Sequence, residues 1–317
     1  SPKQFDEVLH DLKNAWERAE RERLSQRERT NKIGGGARYK LNVDGMLLMT
    51  LVYLRHYLTM EFLGVLFDLD RANVCRIINR MLPLLEEVLP SPGRSKSLQK
   101  IADRIPQENP RKKKGRIRDV AGFLEAFPEL ETVIVDATEQ ERGQPKPRAK
   151  QKNGKKPPGR PKNKRKYFSK KKGRHTLKTQ LGVALNGVLV HQSPSVPGKM
   201  HDAALLKRSR LMNNVPEHIE VVGDKGYEGM HKVYARHRFI TPTKRPKGGD
   251  LSKEQRETNR LISKVRIVAE NAIARVRKYR ITREFYRGKD ERHALCWSVV
   301  GGLVNLRRFE ALAAGAM

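Results

Sequence analysis

Three acidic residues stand where a chain could bring them together for chemistry: Asp136, Asp224 and Glu270. Asp136 ends the apolar run Val133-Ile134-Val135, and Asp224 ends a second run, Ile219 to Gly223. Glu270 lies inside a stretch with helical patterning, Leu261 to Tyr279. Carboxylates at strand ends and on a neighbouring helix can converge on a hard divalent cation, which takes oxygen ligands. The chain that carries them has 67 Lys+Arg against 35 Asp+Glu, a formal net charge of +32. An acidic cluster in so basic a protein points to chemistry on a phosphate backbone. For any one of these acids taken singly, a turn or helix-cap residue is the plain alternative.

The 317 residues allow two or three domains with a real core. The charge balance is the footprint of a polyanion binder, with an anionic membrane surface as the competing partner. No 18-residue apolar run and no signal-peptide pattern occurs, which favours nucleic acid over membrane. Cys75 and Cys296 share no CxxC pairing, and no Cys/His cluster has zinc-site spacing. A disulfide scaffold and a zinc finger are therefore not expected, and a reduced, cytoplasmic protein is.

The elements that must position the acids follow from patterning. Phe5, Leu9, Leu12 and Trp16 recur at helical spacing, so residues 1–33 are expected to hold a charged amphipathic helix ended by Gly34-Gly35-Gly36. This helix is either a dimer element or simply solvated. Residues 37–90 then turn rich in Leu, Val, Ile and Met. Asp44 is expected to cap a helix to Tyr57, Thr59 a short helix from Met60 to Phe67, and Asp70 a third helix from Arg71 to Leu89. Pro83 should kink or break that helix near Leu82. Its apolar face carries Val74, Ile77, Ile78, Met81 and Leu85, leaving Arg71, Asn73, Arg76, Asn79 and Arg80 elsewhere. A short helix, a tight turn and a helix with Arg and Asn early on its outer face make the helix-turn-helix arrangement of DNA readers; an ordinary helical bundle with solvated charges is the alternative. Arg71, Asn73, Arg76 and Arg80 are the candidate DNA contacts there.

Residues 91–118 read as a basic linker, and 119–130 as a short helix. From Thr132 the pattern is mixed α/β: strands at 132–138, 175–185 and 187–193, the last two joined through Asn186-Gly187 as a hairpin, then a helix at 201–212. A strand at 219–224, a helix at 230–237, a short strand at 239–243 and long helices at 252–279 and 290–309 follow, with the terminus fraying.

This order, with acids ending the first and fourth strands, is that of the ribonuclease-H-like fold, and the chain resembles a known family. Its matching segments are Val135-Asp136-Ala137-Thr138-Glu139, Tyr167 to Lys178, Pro197-Gly198-Lys199-Met200-His201-Asp202, Gly223-Asp224-Lys225-Gly226-Tyr227 and Arg266-Ile267-Val268-Ala269-Glu270. Together they span about residues 132 to 308 and resemble the DDE transposases of bacterial insertion sequences, specifically the insertion-sequence-five-like group. The helical region resembles the DNA-binding segment such proteins carry.

The resemblance implies an α/β ribonuclease-H-like catalytic domain over 119–309, with an all-α helix-turn-helix domain before it. It implies Asp136, Asp224 and Glu270 as catalytic, metal-binding triad, 88 and 46 residues apart. Two Mg²⁺ (or Mn²⁺) ions between such carboxylates would activate a nucleophile and stabilise the leaving 3′-oxygen. The expected activity is binding of terminal inverted repeats, cleavage at the element ends and joining to target DNA, by at least a homodimer in the bacterial cytoplasm at the nucleoid. A transposase-derived DNA-binding regulator without catalysis and a structure-specific nuclease of the same fold are the alternatives.

Around the triad, Arg266 and Arg277 lie at i−4 and i+7 from Glu270 on one helix face, set for phosphate contact or for salt bridges to Glu270. Some related transposases carry a Tyr-Arg-Glu-Lys pattern at this spacing; here Ser263 replaces the Tyr and Arg277 stands for the Lys. Lys225 either contacts phosphate or neutralises the acids. Glu139, three residues beyond Asp136, is not counted as a ligand. His201 and Asp202 open a helix, as caps or as site residues. A basic insertion covers 141–172, and residues 141 to 178 hold seventeen Lys and Arg against the single acid Glu141. Such a segment buries too little apolar surface to order itself when free. Arg160 and Lys162, within Pro158-Gly159-Arg160-Pro161-Lys162, resemble the minor-groove turn of an AT-hook or form a non-specific phosphate loop. Lys170, Lys171, Lys172 and Lys178 complete the expected DNA contacts.

Overall fold

The structure is a computed structural model that describes residues 1–26, 39–92, 99–100, 103–104, 120–127, 131–144 and 164–315. Most of the expected linker, the glycine break and the tip of the basic insertion, with Arg160 and Lys162, lie outside these residues.

Helix α1 (Pro2–Ser25) starts from a Ser1/Gln4 capping box. Its stripe of Val8, Leu9, Leu12, Ala15 and Trp16 is buried against α2 (Val43–His56) and α4 (Arg71–Val88). The apolar face read as dimer element or solvated helix is thus consumed within the chain. Helix α2 is capped by Asn42, whose side chain accepts from Gly45 N at 2.9 Å, and not by Asp44. Asp44 sits in the first turn and pairs with Lys13 across to α1 at 3.2 Å. Thr59 caps α3 (Met60–Phe67) as expected.

Helix α4 runs unbroken to Val88 with Pro83 inside it, so of the kink or break expected there the break does not occur. A proline inside a helix costs about 3 kcal/mol through a lost hydrogen bond and a ring clash. Here Ile78, Met81, Leu82, Leu84, Leu85 and Val88 are all buried around it, and their packing offsets that cost.

After α5 (Val120–Ala126) comes a mixed sheet. Its strands are β1 (Thr132–Glu141), β2 (Phe168–Ser169), β3 (Arg174–Ala184), β4 (Leu189–Gln192), β5 (Val196–Pro197), β6 (Glu220–Gly223) and β7 (Phe239–Ile240). Strand β3 runs antiparallel to β1, and β2, β5 and β4 pair in turn along its outer edge. On the other side β1 is parallel to β6, and β6 to β7. That order is the ribonuclease-H-like one expected from the sequence. β1 is longer than its apolar run because polar residues continue the ladder to Glu141, paired with Thr176. Alternation sends Val133 and Val135 into a core with α5 and Ile134 into a second core on the opposite face.

The remaining helices are α6 (Lys164–Tyr167), α7 (Asp202–Ser209), α8 (Met230–Val233), α9 (Lys253–Arg277), α10 (Arg280–Arg283) and α11 (Asp290–Ala313). α7 stops short of Met212 because Arg210 takes a left-handed conformation, φ 56°, and a 3-10 turn follows. The core of Ile134, α9 and α11 continues without a break into that of α1, α2 and α4. Gly301 and Gly302 permit this contact: a Cβ at Gly302 would stand 2.8 Å from Leu89 Cβ, and one at Gly301 2.8 Å from Pro92 Cγ. Asn305 Nδ2 donates to Pro90 O at 3.0 Å, and Arg55 Nη1 to Lys278 O at 2.9 Å, across the same junction.

Candidate active site

Two parallel strands bring two of the three acids together. Val135 pairs with Gly223, so Asp136 and Asp224 follow at the same level of adjacent strands. Asp136 Oδ1 accepts from Ala137 N at 2.8 Å, and Asp224 Oδ1 accepts from Gly226 N at 2.7 Å, which caps a one-turn 3-10 helix. Both carboxylates line a cleft of about 580 Å³. Burial raises the Asp136 carboxyl to about 6; the Ala137 amide and Arg266 oppose that rise, and Asp224 and Asp202 add to it. A carboxylate so crowded by like charge and poor solvation favours a cation beside it.

Glu270 is not among the residues lining the cleft. Its side chain is 58% exposed on α9, and its Oε1 lies 3.7 Å from Arg266 Nη2. Arg266 and Arg277, which flank it on the helix, do line the cleft. Arg266 Nε is buried without a hydrogen-bond partner among the described residues. Arg277 Nη1 donates to Thr138 Oγ1 at 3.2 Å. Two guanidinium groups therefore border the cleft, and such groups suit an anionic oxygen ligand.

The structure adds Glu139, an acid the sequence did not mark as a ligand, and Asp202, which it left open between helix cap and site residue. Glu139 and Asp202 line the same cleft. Asp202 opens α7 just after the cap residue His201. Glu139 pairs in register with Lys178 of β3. The consecutive polar residues Thr138 to Glu141 at the end of β1 are a signal of a functional wall, but only the strand register shows what each one faces.

The expected phosphate contacts divide. Lys170, Lys171 and Lys172 are exposed on the rim, joined there by Lys199. Lys178 corrects the expectation: its side chain is 9% exposed, and it binds Asp202 Oδ1 at 2.8 Å and Met200 O at 2.7 Å. Its charge is committed to protein oxygens because the antiparallel pairing drives it inward. Lys225 is exposed and is not a cleft residue.

On the helical domain, Arg71 and Arg76 are exposed on α4. Arg71 pairs with Glu61 at 2.7 Å, and Arg76 Nη1 donates to Asn73 Oδ1 at 2.7 Å. Arg80 is a second correction. It donates to Tyr39 Oη at 2.7 Å and to Glu20 Oε1 of α1 at 3.3 Å, so its guanidinium is engaged in fastening α1 to α4.

Asp136, Asp224, Asp202 and Glu139 supply carboxylate oxygens to the cleft, and the Asp136 carboxyl is raised mainly by burial, with Asp224 and Asp202 adding to the rise. That donor set fits a hard divalent cation in type. Among the described residues, no group of three His, Cys, Asp or Glu is already gathered to hold one.

Residues 39–91 match a family model described as the helix-turn-helix of DDE superfamily endonuclease, and residues 154–305 match DDE superfamily endonuclease. The second span takes in Asp224 and Glu270 and begins after Asp136. A probable transposase for insertion sequence element IS702 from Microchaete diplosiphon is 32% identical over 277 residues, covering 85% of this chain and 82% of that protein. Two solved structures of Mos1 transposase, a paired-end complex with the left transposon end and a pre-cleavage transpososome, align at 10% identity. They cover 93% of this chain and 84% and 85% of theirs, with TM-scores of 0.19 and 0.18.

Proposed function

The chain belongs to the DDE superfamily of transposases, and from that premise we propose that it binds the ends of a mobile element, cleaves DNA there and joins the 3′ ends to target DNA. The observation that carries this reading is the side-by-side placement of Asp136 and Asp224 at the floor of a lysine- and arginine-rimmed cleft.

Asp136 and Asp224 would hold Mg²⁺ or Mn²⁺, with Glu270 brought in from α9 as the third carboxylate. A divalent cation there supplies charge stabilisation for an in-line displacement at phosphorus. The chain's own groups do the rest. Arg266 lines the cleft, where a scissile phosphate would lie. Arg277 is held beside it by Thr138. Lys170, Lys171 and Lys172, exposed at the mouth, would follow the sugar-phosphate backbone. The outer face of α4, with Arg71, Asn73 and Arg76, would read the element ends in the major groove. Pairing two ends requires at least a dimer on DNA.

A strand-transfer assay with pre-cleaved ends and full-length protein tests the reading. Joined product that requires Asp136, Asp224 and a divalent cation is expected. Cutting without joining would indicate a structure-specific nuclease, and end binding with neither activity a non-catalytic regulator.

A further inference from the structure

We propose that Lys178 is a resident cation of the cleft: its ammonium fills an oxygen nest beside Asp136 and Asp224 and confines divalent-cation loading to their side. This inference rests on the cation-dependent reading of the cleft given above.

The nest has three oxygens. Lys178 Nζ lies 2.7 Å from Met200 O, 2.8 Å from Asp202 Oδ1 and 3.5 Å from Glu139 Oε1. One carbonyl and two carboxylates are donors that a hard divalent cation takes. An ammonium carries three donors and no acceptor, so it can serve all three oxygens at once. The arrangement is built from both sides. Glu139 is fixed by a hydrogen bond from Thr176 Oγ1 to its Oε2 at 2.7 Å, and its side chain is 10% exposed. Lys178 reaches it directly across the β1–β3 ladder.

Asp202 links the nest to the catalytic floor. Its Oδ1 is on Lys178, while its Oδ2 and Asp224 Oδ1 crowd the same side of Gly226. A Cβ at Gly226 would stand 2.7 Å from the first and 2.8 Å from the second. Four carboxylates therefore border one cleft, and Lys178 compensates two of them. Without it, Asp202 and Glu139 would present uncompensated charge and a ready donor set, and a further ion would settle there instead of on Asp136 and Asp224 alone. Lys178 is thus a positioning residue that decides where cations go, and it touches no reacting atom.

Titrating Mn²⁺ into full-length, metal-free protein, with the free ion followed by electron paramagnetic resonance, tests this. Lys178→Ala should bind one more Mn²⁺ per chain than wild type. Lys178→Arg, which keeps a cation, should bind no more than wild type, and Lys178→Ala/Asp202→Asn should lose the extra ion. A Lys178→Ala protein with wild-type circular dichroism and unchanged Mn²⁺ stoichiometry overturns the proposal. Where Lys178→Ala is poorly folded without metal, Mn²⁺ should raise its Tm by more than it raises that of wild type; an equal or smaller rise overturns it equally. Asp136→Asn/Asp224→Asn serves as the parallel arm. Undiminished Mn²⁺ binding by that variant counts against the cleft as a cation site, a failure separate from that of Lys178.

Discussion

Asp136 and Asp224 are neighbours because Val135 and Gly223 are partners in a parallel ladder. Two strands far apart in sequence deliver one acid each to the same level, and the parallel register of the sheet sets them side by side. The carboxyl of Asp136 bears the cost, standing at about 6 mainly through burial.

That cost has a pH window. Between about pH 4 and 6 the native state keeps a proton that the unfolded chain has released, so stability from this group falls as pH rises through the window and stays low above it. Asp136→Asn should therefore be more stable than wild type by about 1–3 kcal/mol at pH 7 in metal-free buffer, and no more stable at pH 4. Urea unfolding of both proteins at the two pH values decides it; equal stability at pH 7 would show that Asp136 is better solvated than its surroundings imply.

Catalysis should fall by several orders of magnitude in Asp136→Asn, Asp224→Asn and Glu270→Gln alike, since each removes charge that orders the reacting phosphate. Binding to DNA should persist in all three, because phosphate contacts supply most of it. Glu270 gives the sharper test, being half-exposed and outside the cleft lining. Near-wild-type strand transfer by Glu270→Gln would shift the third carboxylate to Asp202 or Glu139.

Recognition of the element ends should separate residues on the outer face of α4 from Arg80. Arg71→Ala, Asn73→Ala or Arg76→Ala should each cost about 1–3 kcal/mol where the side chain reads a base edge, and should relax the preference for element ends over random duplex. Arg80→Ala, which releases Glu20 and Tyr39, should lower the Tm and leave that preference intact. Gel-shift titrations on both duplexes, with melting curves for each variant, distinguish the two classes.

Replacing residues 145–163 with a short Gly-Ser linker removes eight Lys and Arg. The flanks are secured independently: Arg142 pairs with Asp290 and stacks on Tyr167, whose hydroxyl donates to Asp290 at 2.7 Å. The fold should therefore persist, while log Kd against log salt flattens by roughly 0.9 for each phosphate that is no longer neutralised. An unchanged slope would make the segment a bystander.

Much of this organisation was legible in the chain. Apolar runs that end in Asp136 and Asp224 mark buried parallel strands, because side chains covered on both faces must be uniformly apolar. The Asn186-Gly187 hairpin and the Thr59 cap were equally local signals and appear where expected. What escaped were the facts that depend on register and docking. Lys178 looks like one more cation of a basic stretch until its partner across the ladder proves to be Glu139. Arg80 looks outward until α1 lies down beside it. Pro83 looks like a break until a ring of buried leucines surrounds it. Each miss exchanges a local rule for a contact between elements distant in sequence.

The shared core of α4 and α11, closed by Gly301 and Gly302, has a consequence for measurement. A protein that grips one stretch of DNA and cuts another needs a fixed distance between the two, and a hinge would blur it. Here α4, the proposed reader of DNA, and the sheet that carries Asp136 and Asp224 are welded through common side chains, like the jaws of a caliper locked at one setting. The offset between bound sequence and severed bond would then be a dimension of the fold itself, adjustable by repacking leucines against glycines and indifferent to the length of the chain between residues 92 and 120.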